Sequence, residues 1–132
     1  MKVLALDHGQ VRTGVAVSDP TGTIVRPLPA IRRVDSPEGS RALDSLIAGE
    51  APDVIVVGEP RSLSGERGRQ ARAAAGFAAR LRARVSVPVE LWDERLTTVE
   101  ARRRAREGGA KGELDSLAAC VLLEAYLSAR PT

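Results

Sequence analysis

The chain predicts an α/β fold, a five-stranded mixed sheet with helices on both faces. Three observations carry this reading. Apolar runs broken by turn residues fill Lys2 to Ala30, as consecutive antiparallel strands do. Val54, Ile55, Val56 and Val57 form an unbroken β-branched run, the composition of a strand covered on both faces. Around that run strand and helix patterns alternate, as in parallel crossover units.

The elements follow in order. Lys2 to Leu6 and Gly14 to Ser18 are short apolar segments joined by the turn-rich HGQVRT, and together they read as a central hairpin. Thr23 to Ala30 carries Pro27 and Pro29, which cannot donate ladder hydrogen bonds, so it is expected as a third, edge strand. Ser36-Pro37-Glu38 supplies an N-cap, a first-turn proline and an early acid; Leu43, Leu46 and Ile47 follow at helical spacing, with Gly49 as a stop. Asp53 to Gly58 is the fourth strand. The Ala- and Arg-rich segment from Glu66 to Arg84 is a second helix, with Ala74, Phe77, Ala78 and Leu81 on one face. Val85 to Trp92 returns to strand chemistry. Thr97 and Glu100 form a capping box that opens a third helix ending at Gly108-Gly109. A last helix is expected from Glu113 to Ala129, with Leu114, Leu117, Ala118, Val121, Leu122 and Ala125 as its apolar stripe.

The 132 residues suit one domain spanning 1–132, and 43% hydrophobic residues fill one core without disulfides. Cys120 lies within an apolar stripe and reads as a buried small hydrophobe. No stretch approaches the ~20 apolar residues of a membrane span. From Met1 the chain enters a strand pattern with no signal-type apolar region, so a cytoplasmic location without a membrane partner is expected. The net charge of +3, the pI near 9.7 and the cluster Arg102, Arg103, Arg104 and Arg106 lean toward a polyanionic partner. All basic residues except Lys2 and Lys111 are arginine, which grips phosphate bidentately. Phe77, Trp92 and Tyr126 are too few aromatics for extensive base stacking, so a nucleic acid would be held mainly by its backbone.

Three acids stand where a divalent cation would want them. Asp7 closes the first strand, Glu94 closes the last, and Asp115 enters the final helix. Sites in such sheets form at strand carboxyl ends. If the fold gathers these carboxylates, Mg²⁺ or Mn²⁺ is the natural counter-ion. Each acid also has a plain structural explanation. Asp7-His8-Gly9 is compatible with an ordinary hairpin turn in which Gly9 takes positive φ and His8 faces solvent. Asp115 suits a helix N-terminus through the macrodipole alone. Asp93 and Glu94 point to opposite faces, so one of them can join a common site; Glu94 is the choice and Asp93 the alternative. The Gly58 to Gly65 connection, with Arg61, could seat a phosphate but lacks the Walker core. Lys111 is placed to touch a phosphate just ahead of Asp115.

Taken together, LALDHGQVRTGVAVSD, VVGEPRSLSGERG, ELWDERLTT and DSLAACVLLEAYL resemble, in order and spacing, the YqgF family. This bacterial family of pre-16S rRNA nucleases is also described as Holliday-junction-resolvase-like. The resemblance spans nearly the whole chain and implies a ribonuclease H-like fold. It also implies Asp7, Glu94 and Asp115 as metal-binding catalytic acids, holding two Mg²⁺ or Mn²⁺ ions for phosphodiester hydrolysis. Arg12, Arg61, Arg95 and Lys111 are then the candidates for gripping the nucleic-acid backbone. Where the family usually has an apolar residue after the glycine of the middle motif, this chain has Glu59, a further acid near the presumed site.

The expected function is cleavage at the 5′ end of pre-16S rRNA, with structured RNA as the preferred partner and branched DNA as the alternative. Symmetric junction cutting would favour a homodimer over a monomer. Two rivals come from other classes. A non-catalytic RNA-binding module would keep the acids as caps. A small-molecule kinase or ATPase shares the Asp-x-Gly turn, but closes two lobes around its nucleotide.

Overall fold

The computed structural model describes residues 1–61, 64, 65, 67–97, 103 and 116–130. Its strands are β1 (Val3–Asp7), β2 (Arg12–Ser18), β3 (Val25–Arg32), β4 (Val54–Glu59) and β5 (Val89–Asp93), and its described helices are α1 (Pro37–Glu50), α2 (Arg69–Arg82) and α3 (Leu117–Ala129). The strands form one sheet in the order β3-β2-β1-β4-β5. β1, β2 and β3 pair antiparallel, whereas β1–β4 and β4–β5 pair parallel. The sheet is therefore mixed, with α1 and α2 as the crossovers that make parallel pairing possible.

Strand alternation divides the core. Leu4, Leu6, Ile55 and Val57 face α1 and α2, where Leu43, Phe77 and Leu81 cover them. Val3, Ala5, Val54 and Val56 face the other way, against Cys120, Leu122, Leu123 and Tyr126 of α3. Burial on both faces explains why β1 and β4 read as continuous apolar runs. The prolines of β3 sit on the sheet edge, where a missing N–H costs little.

Several boundaries differ from the sequence expectation. β2 begins at Arg12 and β5 at Val89. α2 begins at Arg69, after an N-cap at Gly68, and not at Glu66. α1 runs through Gly49 and closes at Ala51, a left-handed residue (φ 49°) whose N–H donates to the Ile47 carbonyl. In α3 the buried residues are Ala119, Cys120, Leu122, Leu123, Ala125 and Tyr126, while Ala118 is exposed. That helix is apolar nearly all round, so periodicity could not fix its inward face. The capping box at Thr97 and Glu100, the helix it was to open, and residues 113–115 lie outside the described residues, apart from Thr97 and Arg103.

Ser116 carries a tie the sequence did not announce. Its buried hydroxyl donates to the Leu28 carbonyl at 2.7 Å and accepts from the Val15 N–H at 3.0 Å. Those two residues face each other where the β2–β3 register shifts, so the hydroxyl bridges a gap in the ladder and fixes the start of α3 to the sheet. Ser116→Ala should lower stability by about 2 kcal/mol, since both backbone groups would remain buried and unpaired. A denaturant titration measures the loss.

Candidate active site

The carboxyl ends of β1, β4 and β5 lie side by side, and alternation decides what each sends to which face. Asp7 continues the parity of Val3 and Ala5, and Gly58 that of Val54 and Val56, so both belong to the α3 face. Trp92 packs on that face too. Two residues on, Glu94 opens a single 3₁₀ turn (Glu94–Leu96) and does not close the strand, which ends at Asp93. The Glu94 carboxylate reaches back over β4. A Cβ added to Gly58 would come within 3.2 Å of Glu94 Cδ and Oε2 and of Leu122 Cδ2, so the bare glycine makes the room that this carboxylate occupies. Gly58→Ala should displace Glu94 and lower turnover about tenfold or more, with an unaltered circular dichroism spectrum; initial-rate measurements test it.

Asp7 and Glu94 line one cavity of about 500 Å³ together with His8, Gln10, Pro60 and Arg69. Burial raises the pKa of Asp7. Burial first, then repulsion from Asp7 and Asp93, pushes Glu94 up to about 7. Each carboxylate is therefore expensive to ionise where it stands, and among the described residues neither forms an ion pair with Arg or Lys.

The other two acids at these strand ends are neutralised. Glu59 and Asp93 are register partners on β4 and β5, with the parity of the α2 face. Asp93 caps the 3₁₀ turn by accepting from the Arg95 N–H at 2.9 Å, and it pairs with the same residue's guanidinium. Its pKa is lowered, chiefly by the Arg95 hydrogen bond. Glu59 is buried and held between Arg61 and Arg67. It therefore does not face solvent.

The remaining candidates divide. Arg61 and Arg95 stand just past the ends of β4 and β5, where Glu59 and Asp93 engage them, and among the described residues the arginine that lines the cavity is Arg69. Arg12 is exposed at the start of β2, opposite Arg32. Asp115 and Lys111 lie outside the described residues. His8 departs from its expectation. Its side chain is 5% exposed, stacks on Phe77 at 4.6 Å, and bonds Asp35 through Nε2 at 3.1 Å. Gly9 is needed for close approach and not for a positive φ, because a Cβ there would collide with the Arg12 carbonyl. Among the described residues no three acidic, histidine or cysteine side chains gather into a metal-sized group, so Asp7 and Glu94 form a pair. No described helix is long and apolar enough to cross a membrane.

A mixed β3-β2-β1-β4-β5 sheet with acids at its parallel strand ends is the ribonuclease H-like arrangement, and the chain is a nuclease of that fold class. Solved structures agree in fold. The RuvC protein of T. thermophilus in complex with a Holliday junction substrate superposes with a TM-score of 0.67 at 16% identity, covering 98% of this chain and 95% of that one. The fowlpox virus Holliday junction resolvase gives 0.59 at 13% identity, with 98% and 100% covered. The chain belongs to the RuvX family, described as Holliday junction resolvase, whose model matches residues 1–129; this is the YqgF family of the sequence resemblance. Relatives carry the name "Putative pre-16S rRNA nuclease". One from Mycobacterium ulcerans is 42% identical, with 98% of this chain and 79% of the relative covered. Another from Caldanaerobacter subterraneus is 36% identical, with 98% of each covered.

Proposed function

We propose that the protein is a divalent-metal-dependent nuclease that cuts the 5′ end of the 16S ribosomal RNA precursor at the Asp7–Glu94 cavity. The observation that carries this is the contrast among four acids at neighbouring strand ends. Glu59 and Asp93 are compensated by arginine, whereas Asp7 and Glu94 are half-buried and repel one another. Hard carboxylate oxygens that find no Arg or Lys partner among the described residues are a donor set that Mg²⁺ or Mn²⁺ takes. Bound there, such ions supply activated water and stabilise the attacking and leaving oxygens of the phosphodiester.

The chain's own residues would hold and orient. Asp7 presents its carboxylate from a strand buried on both faces, and Gly58 leaves the space in which Glu94 lies. Asp115 is proposed as the third ligand from its place in the sequence, directly before the anchored Ser116. Arg12, Arg61, Arg95 and Lys111 are proposed to hold the nucleic-acid backbone. A cytoplasmic protein fits this reading.

A second reading, resolution of branched DNA, is favoured by the family's own description. Cleavage assays with Mg²⁺ or Mn²⁺ on a 16S precursor fragment and on a four-way DNA junction separate the two. RNA cleaved at the mature 5′ end with the junction intact is expected. Paired symmetric cuts in the junction would transfer the assignment to DNA, and inert protein on both substrates with either metal would sink the catalytic reading.

A further inference from the structure

Glu59 is a buried carboxylate that the proposed cleavage chemistry does not use. It ends β4 with 2% of its surface exposed and is held from two sides. Arg61, two residues on, donates its Nε to Oε1 at 2.6 Å. Arg67, eight residues on, sets its Nε 2.6 Å from Oε2, an ion contact without hydrogen-bond alignment. The two arginines flank the connection between β4 and α2, so one carboxylate fastens both ends of that segment. Pro60, directly before Arg61, lines the acid cavity, and so does Arg69, just beyond Arg67.

The choice of nitrogen matters. A guanidinium has five N–H donors in a fixed fork, and engagement through Nε leaves the two terminal nitrogens at the far end of the plane. Among the described residues, Glu59 is the carboxylate that pairs with both Arg61 and Arg67, and the Arg67 side chain is 47% exposed. Among the described residues, this face of the strand ends brings Arg61, Arg67 and Arg95 together with Glu59 and Asp93. β4, whose end carries Glu59, lies next to β1 and its Asp7 in the sheet.

From this arrangement we infer that Glu59 is a positioning residue for substrate, holding the Arg61 and Arg67 guanidinium groups ready for phosphates of the nucleic-acid backbone at the mouth of the cleavage cavity. The inference rests on the nuclease reading above for the identity of the polyanion. It separates from that reading because it concerns how the arginines are held, and not the chemistry of the acid pair.

Two effects of Glu59→Gln have opposite signs, which makes the test decisive. Losing a negative charge beside three arginines strengthens attraction to RNA if charge alone matters. Losing the fastener weakens binding if position matters. Affinity for a labelled RNA hairpin should be measured by fluorescence anisotropy across a salt series, with Asp7→Asn present in every protein so that nothing is cut. Glu59→Gln is expected to bind five- to tenfold more weakly and to be cut faster by trypsin after Arg61 and Arg67. In the otherwise wild-type enzyme, KM should rise with kcat little changed. Arg67→Lys, which keeps the charge but loses the fork, should weaken binding similarly and guards against misfolding of the first variant. Unchanged or tighter binding by folded Glu59→Gln, or wild-type affinity in Arg67→Lys, would overturn the inference. If the Asp7→Asn parent binds no RNA, the nuclease reading fails with it, while the trypsin pattern still reports whether Glu59 holds the arginines.

Discussion

Asp7→Asn and Glu94→Gln should each lower metal-dependent cleavage by at least a thousandfold while leaving RNA binding equal or tighter. The two variants are nearly isosteric, so the sheet and the Gly58 cradle are retained; what is lost is a negative oxygen where a hard cation has to be held. Binding should not suffer, because a carboxylate near a phosphodiester repels it. Single-turnover cleavage alongside anisotropy on the same RNA separates the two effects. Near-normal cleavage by either variant would remove that residue from the machinery. A parallel fall in binding and cleavage would instead point to a folding defect.

Without added metal, raising pH from 5 to 8 should destabilise the protein, and Glu94→Gln should abolish most of that loss. The folded pKa of Glu94 is raised from an ordinary 4.5 to about 7, and Asp7 is raised as well. A group whose folded pKa is raised contributes stability that is complete below its unfolded pKa and disappears as pH climbs through the folded value. The window is therefore about 4.5 to 7, with the loss complete above 7. Asp35, Glu50 and Asp93 are shifted the other way, lowered below their ordinary values, so their contributions vanish only in more acidic solution and do not mask the effect. For a half-buried carboxylate, solvent screening reduces the linkage estimate to roughly 1–2 kcal/mol. That corresponds to a Tm lower by about 5 °C at pH 8 than at pH 5. Mg²⁺ or Mn²⁺ should restore the lost Tm in the wild type at pH 8 and do little for Glu94→Gln. Equal pH profiles for the two proteins would show that the acid pair is not under the strain its surroundings imply.

The two expectations are linked. The features that make Asp7 and Glu94 costly to ionise are burial and proximity, the same features that concentrate negative potential for a cation. Glu94→Gln is accordingly expected to be more stable at neutral pH and inactive, a stability–function opposition common at catalytic sites.

Much of the fold is legible in the residues. The unbroken apolar runs of β1 and β4 require cover on both faces, Pro27 and Pro29 require an edge, and Ser36-Pro37 starts a helix where one is found. Legibility fades where local pattern is degenerate. α3 is apolar on almost every side, so its buried face is selected by the sheet and not by its own periodicity. His8 looks like a turn residue, yet Phe77 and Asp35, distant in sequence, enclose it. No local pattern announces the tie that Ser116 makes, because that role exists only where β2 and β3 slip in register.

By itself the sequence determined the types of the described strands and helices, the mixed sheet, and Asp7 as a strand-end acid, since these depend on alternation, periodicity and turn chemistry within short windows; Glu94 it placed one residue short of the 3₁₀ turn that it opens. Only the tertiary structure decided which acids meet an arginine among the described residues. Glu59 is one position from Gly58 and Asp93 one from Glu94, yet pleating sends each of these acids to the face where Arg61, Arg67 and Arg95 neutralise them. The physical reason is that charge compensation is a matter of ångströms through space, and neighbouring residues of one strand look in opposite directions.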